Sequence, residues 1–430
     1  MLRIHSVLVR VLSALGLATA VALVAGCGGG GGGGSSSTSS SSTTSSSGPS
    51  SSGPSSGSTN TAPLVANQVP VTVGYGYAGG SNIPTVSVTL CAPGTSNCQT
   101  IDNIQVDTMS FGLRLTSTAA SAVLGSLPQV TSGGAAVAEC TQFADGYTWG
   151  SVRLADVKIG GETASNLPIN ILGDVPQSAV SSGGCASGTL ETSGSALGAN
   201  GILGIGVSQY DCGSGCATQA NNGMYYGCPG GTNCTGTTLP LTSQVATPMR
   251  SFAADNNGVS LTMPSVGPSG ASLVSGVLTF GVATQSNNAL PTSGVTVYTS
   301  DRYGDTQSAT YNGALGYVAF FDSGSNAYFV PDPAIPRCTG QGSWAYCPSS
   351  TVSRTIGVTG YNGASGSFPI SIANAQQLFA SGAFASNDLG GTLGGVGSKL
   401  DMGLPFFYGR TVYYGYDLTG TGGPQPYVAF

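Results

Sequence analysis

The sequence predicts an all-β protein built as two lobes, and three observations predict it. Short apolar runs recur along the chain between glycine-rich turns, with 69 glycines among 430 residues. An apolar strand ending in an acid, with a hydroxyl beside it, occurs twice: at Asp107-Thr108 and at Asp322-Ser323. Only residues 373–384 read as a sizeable helix. The hydrophobic fraction of 40%, with 18 tyrosines and 13 phenylalanines, supports a packed core beyond the N-terminal segments. The expected division is one lobe over residues 67–250 and a second over 251–430, each presenting one carboxylate from a rigid base.

The chain opens with a targeting segment, residues 1–26. Arg3 and Arg10 precede or interrupt its start, and an apolar run over 11–25 follows. It ends at Val24-Ala25-Gly26-Cys27, which resembles the bacterial lipobox. That resemblance implies cleavage before Cys27, lipidation of its thiol and amine with palmitate-type chains, and a membrane-anchored envelope lipoprotein. Gly28 stands where an aspartate often retains lipoproteins in the inner membrane, which favours the outer membrane. A plain signal peptide or one short membrane helix is the competing reading. Residues 27–66 carry the cysteine, then seven glycines, then almost only Ser, Thr, Gly and Pro up to about residue 62. Such a segment has little to bury and reads as a flexible tether. No later stretch is long and apolar enough to span a bilayer as a helix.

The folded part then runs through short elements. Residues 69–77 and 85–91 alternate valines with smaller or polar neighbours, as half-buried strands do. The strand ending at Asp107 follows, a second resumes after Phe111-Gly112, and a short helix or loop covers 118–124. Asp145-Gly146 is a hairpin-turn signal, and 151–161 is an alternating strand and turn. A hairpin carrying Phe143, Tyr147 and Trp149 could cover a cleft; its aromatics packing inward is the plainer reading. Residues 167–172 form a strand, and 199–206 are tight and apolar, with glycines that let backbones approach. Residues 211–240 read as an irregular insertion. The second half offers strands near 259–263, 275–280, 294–300, 316–321, 328–331 and 367–372, then the helix, an aromatic-rich strand after 403–409, and a final strand at 426–430.

Composition excludes several chemistries. The single histidine is His5, within the targeting segment, so the remainder carries no Ser-His-Asp or Cys-His device and no histidine-based zinc site. Seventeen acids face nine basic residues after Cys27, without a basic patch, and this argues against nucleic acid as a partner. Ten cysteines remain beyond Cys27, an even number in an exported chain, which favours disulfides. Proximity suggests Cys91 with Cys98, Cys212 with Cys216, Cys228 with Cys234 and Cys338 with Cys347, leaving Cys140 for Cys185. Spacing alone does not fix these pairs, and zinc at Cys212, Cys216, Cys228 and Cys234 is the competing reading. Neither a metal nor another cofactor is expected. Arg114 could reach the cleft, but a surface position is the plainer reading. Tyr225, Tyr226, Trp344 and Tyr346 read as core or lid residues, with a sugar-binding platform as the alternative.

The two acid motifs carry a wider resemblance. The chain resembles a family of proteobacterial lipoproteins with a domain of unknown function, which is itself similar to the two-lobed pepsin-like aspartic proteases. Their pattern is an apolar strand ending in Asp-Thr/Ser-Gly-Ser/Thr once per lobe. Asp322-Ser323-Gly324-Ser325 matches it fully; Asp107-Thr108-Met109-Ser110 departs from it at Met109. Phe143-Ala144-Asp145-Gly146, with Tyr147 next, falls where that family has its flap, and Phe143 takes the place of the flap tyrosine. Asn200-Gly201-Ile202-Leu203-Gly204-Ile205-Gly206 resembles the segment crossing behind the first aspartate, and Gly403 to Asp417 and Val428-Ala429-Phe430 resemble the C-terminal block.

The resemblance implies a pepsin-like fold with short helices and stapled loops, acting as a monomer on peptide or protein substrates. Asp107 and Asp322 would share one proton, one activating water and the other protonating the scissile carbonyl oxygen. Thr108 and Ser323 would hold the two loops together across the lobes. Ser110 and Ser325 would support the carboxylates, and the N–H groups of Met109 and Gly324 would place their charge. Met109 adds a bulky side chain beside the reacting water, and Phe143 lacks a flap hydroxyl. A non-catalytic protein that binds peptide or glycan in the cleft is therefore the alternative function, and an architectural role at the envelope surface a third.

Overall fold

The protein is all-β, in the two-lobed pepsin-like arrangement, with short helices and disulfide-stapled loops. The structure, a computed structural model, describes residues 63–179, 185–393 and 397–430. The targeting segment, Cys27 and the tether up to residue 62 lie outside the described residues.

Both acid strands sit in the same local topology. Strand Cys98–Asp107 turns through the Thr108–Ser110 loop into Phe111–Thr116, and Gly201–Ile205 threads between the two, parallel to the first and antiparallel to the second. In the second half, Ala314–Asp322 turns into Tyr328–Phe329, and Lys399–Gly403 threads between them in the same senses. The threading strand puts a glycine beside each acid: Gly204 opposite Asp107 and Gly403 opposite Asp322. A Cβ at Gly204 would lie 2.5 Å from the Phe111 nitrogen, and one at Gly403 2.2 Å from the Ala327 oxygen. No side chain fits at either crossing.

Beneath these units runs a six-stranded antiparallel sheet. Its order is Gln68–Val73, Val274–Phe280, Gly258–Met263, Arg410–Gly415, Tyr427–Ala429 and Val297–Thr299. Its first strand comes from the N-terminal half and the rest from the C-terminal half. Alternation in Gln68–Val73 sends Val69, Val71 and Val73 into the core while Pro70 and Thr72 face out. In the second half, Phe321 lies 4.7 Å from both Phe406 and Phe430, ring centre to ring centre. Such aromatic pairs add about 0.5–1.5 kcal/mol each beyond their area. They anchor the strand on which Asp322 sits.

Several expectations need correcting. The helix expected over 373–384 is confined to Ala375–Ala380, capped by the Asn374 side chain on the Gln377 N–H; Gly382 follows at φ +74°. Strands Ser308–Tyr311 and Val352–Thr359, not anticipated, extend the second lobe's sheet. Their polar alternation hid them. The insertion at 211–240 contains strand Tyr225–Cys228, paired to Ala135–Gln142, and is therefore part of the first lobe's sheet. Arg114 is 1% exposed rather than on the surface. Its strand, Phe111–Thr116, is buried on both faces because Gly201–Ile205 and Glu162–Leu172 flank it and further layers cover it.

Disulfides join Cys91 to Cys98, Cys140 to Cys185, Cys212 to Cys216, Cys228 to Cys234, and Cys338 to Cys347. The four cysteines weighed for zinc are thus committed to two bonds. Tyr225, Tyr226 and Tyr346 are buried and Trp344 is partly buried against Phe329, so they serve packing and offer no sugar platform. No helix among the described residues is long and apolar enough to cross a membrane.

Candidate active site

The two acid loops meet at the seam between the lobes. Ser323 N–H donates to Thr108 Oγ1 at 2.8 Å, and Thr108 Oγ1 donates to the Phe321 carbonyl at 2.9 Å. In the reverse direction, Thr108 N–H donates to Ser323 Oγ at 3.2 Å, and Ser323 Oγ donates to the Val106 carbonyl at 2.8 Å. Four hydrogen bonds related by a pseudo-twofold thus clamp the loops. All four residues that supply donor or acceptor side chains and acids here, Asp107, Thr108, Asp322 and Ser323, are fully buried. Tyr414 OH, from the sheet beneath, also donates to the Phe321 carbonyl at 2.7 Å.

Each carboxylate is held by its own loop. Asp107 Oδ1 accepts the N–H of Met109 at 2.8 Å and of Ser110 at 3.1 Å. Asp322 Oδ1 accepts the N–H of Gly324 at 2.8 Å, and its Oδ2 accepts Ser325 Oγ at 2.9 Å. The Ser110 hydroxyl corrects the sequence expectation: it has no hydrogen-bond partner among the described residues, and Ser110 supports Asp107 through its backbone alone. Burial, then the charges of Asp107 and Asp401, push the Asp322 carboxyl well above the usual carboxylate range, and the Ser325 hydroxyl opposes this. Charge on Asp107 therefore opposes charge on Asp322.

Met109 does not point at the carboxyls. Its side chain is 5% exposed and joins the second lobe's apolar cluster of Phe320, Ala327 and Phe329. Its sulfur closes over Gly304, 3.0 Å from where a Cβ there would stand. Gly324, at the matching place in the other loop, has no such outlet. A hairpin joins Ala135–Gln142 to Gly146–Ile159, with Phe143 N–H donating to the Gly146 carbonyl at 2.7 Å. Phe143 turns into its own lobe against Leu172, Leu197 and Ile202. Tyr147 is buried and its hydroxyl accepts Gln177 Nε2, and Trp149 packs edge-on against Tyr226. Asp145 is half-buried at the turn. The Cys140–Cys185 bond and the Gln142 side chain, hydrogen-bonded to both the N–H and the carbonyl of Ser187, brace this hairpin.

Three site residues escaped the sequence reading. Gln105 Nε2 donates to the Gly324 carbonyl at 2.9 Å, tying the first acid strand to the second loop; a lone glutamine in the apolar run before Asp107 was its signal. Tyr414 gave none. Asp401, on the threading strand, accepts or shares a proton with Ser325 Oγ at 2.6 Å.

These loops, clamped across two lobes on a common sheet and each bringing one buried carboxyl to the seam, define the class as a two-lobed, paired-aspartate architecture of pepsin-like fold. Within it, the chain belongs to the family described as "Protein of unknown function (DUF3443)", which matches residues 63–430. Among solved structures, it is similar to an aspartic proteinase from Irpex lacteus, at 18% identity and a TM-score of 0.43, over 84% of this chain and 96% of that one. No curated protein matches the chain.

Proposed function

We propose that this protein is an envelope-anchored aspartic endopeptidase using Asp107 and Asp322 as a proton-sharing pair. The observation that carries the reading is the four-bond clamp that brings the two acid loops together, so close that a Cβ at Gly324 would lie 2.6 Å from Asp107 Cγ. A buried pair holding one proton can both activate a water and protonate a carbonyl oxygen, the two tasks of peptide hydrolysis. Met109 does not oppose this, because its side chain lies in the second lobe's apolar cluster and leaves only its N–H at Asp107. Cleavage of a mixed peptide library between pH 3 and 7 tests it. Activity is expected in acid and is expected to vanish in Asp107→Asn and in Asp322→Asn; cleavage surviving both would remove the pair from the mechanism.

One observation favours the second reading, a non-catalytic protein that binds peptide or glycan in the cleft. Neither carboxyl has any solvent exposure, and the flap's Phe143 is packed away in its own lobe. A folded wild type that cleaves nothing in the library yet retains peptides or glycans would favour it.

The location is part of the proposal. Lipid on Cys27 would hold the protein on the outer membrane, with residues 28–62 as the tether, and the folded part would work as a monomer on peptides or proteins. Labelling with a fatty-acid probe is expected in the wild type and not in Cys27→Ala; equal labelling would overturn the anchor.

A further inference from the structure

We infer that Asp401 is a positioning residue for the acid pair, a proton reserve linked to Asp322 through the Ser325 hydroxyl. The inference rests on the peptidase reading for its catalytic meaning, but its geometry stands apart from it. Ser325 Oγ lies 2.9 Å from Asp322 Oδ2 and 2.6 Å from Asp401 Oδ2. A hydroxyl has one hydrogen, so it can donate to only one of them. The other contact is favourable only if that carboxyl carries a proton and donates it to Ser325 Oγ. Two arrangements satisfy both contacts. In one, Asp401 donates to Ser325 and Ser325 donates to Asp322. In the other, both bonds run the opposite way, from Asp322 through Ser325 to Asp401. Passing between them moves one proton from Asp401 Oδ2 to Ser325 Oγ and one from Ser325 Oγ to Asp322 Oδ2, with no net gain or loss.

The surroundings favour a protonated Asp401 at rest. It is 1% exposed, its Oδ1 has no partner, and its strand neighbours are Phe320 and Phe329. The titratable groups facing it are Asp107, Asp322 and the Tyr414 hydroxyl, none of them a cation. Burial accordingly pushes the Asp401 carboxyl well above the usual range. The consequence appears as pH rises. When the Asp107–Asp322 pair gives up its shared proton, two adjacent carboxylates would face each other. Transfer from Asp401 restores a proton to Asp322 and moves the second negative charge out to Asp401. Like charges are thereby separated, and the working state of the pair persists to higher pH.

Asp401→Asn removes the reserve while its amide can still donate to Ser325. The alkaline limb of the kcat/KM profile is expected to move down by about one pH unit, a loss of about tenfold on that limb, with little change at the acid plateau. A limb that stays in place in folded Asp401→Asn overturns the inference.

A second measurement does not need activity. An acid whose folded pKa is raised stabilises the fold least above that pKa, so wild-type stability should fall as pH rises from about 4. Asp401→Asn should make that fall shallower in thermal unfolding between pH 4 and 8. An unchanged slope overturns the proton reserve. A shallower slope in a protein that cleaves no peptide leaves the reserve standing and removes the peptidase reading.

Discussion

Gly324→Ala is expected to lower peptide cleavage by at least about 100-fold while the protein stays folded. The added methyl would stand 2.6 Å from Asp107 Cγ and 2.8 Å from its Oδ1. Asp107 cannot easily give way, because two backbone N–H groups and complete burial hold it. Relief must come from the Ser323–Ser325 loop retreating or from Asp107 turning, and either separates the carboxyls. A misplacement of about 1 Å at reacting groups costs roughly 10²-fold. The accompanying overpacking, about 1–3 kcal/mol, is within what a large fold tolerates. Gly125→Ala is the matched control, since its added methyl meets nothing within 4 Å. Cleavage by Gly324→Ala at the wild-type rate would show that the pair does not need its present spacing.

Arg114→Leu should destabilise the protein by about 3–5 kcal/mol at pH 7, as removal of one partner from a buried ion pair does. Arg114 donates to Glu139 Oε1 at 2.5 Å and to Asp211 Oδ2 at 3.1 Å, and Tyr225 OH donates to Asp211 Oδ1 at 2.6 Å. Two buried acids therefore share one cation. Burial, then the neighbouring Glu139, holds the Asp211 carboxyl well above its ordinary range even with Arg114 present. Without the arginine, that rise should grow. An acid with a raised folded pKa binds more protons folded than unfolded, so its penalty is complete above the folded value and disappears below the unfolded one, about 3.9. The gap between wild type and Arg114→Leu should accordingly narrow from pH 7 to pH 4. Denaturant unfolding at the two pH values measures it, and a gap that widens in acid would sink the argument. The cluster also ties the loop after Asp107 to the flap strand, since Arg114 Nη1 donates to the Phe111 carbonyl and Glu139 lies on Ala135–Gln142.

What could be read from the chain and what could not follow a physical line. The two acids were legible because each ends an apolar strand and is followed by a hydroxyl, a local signature. So were the glycines of 201–206, whose crowding is local too. Arg114 reads as a surface residue because charged side chains are seldom buried, but its strand has no solvent face. Asp401 was hidden for another reason. Lys399-Leu400-Asp401-Met402-Gly403 has the look of a surface strand, and its partner Ser325 is 76 residues away. Met109 was visible as a departure, but the direction of its side chain depends on Gly304 and Phe329, which no local pattern connects to it.

The sheet beneath the lobes also orders events during synthesis. Gln68 pairs with Thr279, and Gly258 with Gly415. The strand that threads beside Asp322 is Lys399–Gly403, and Val428 pairs with Tyr414. Contacts of such sequence separation form late, because loop closure must precede any reward from pairing. A ribosome-bound chain therefore holds Asp107 without Asp322, and later Asp322 without the strand that seats it. The paired site proposed above therefore cannot assemble until residues 399–430 have been made.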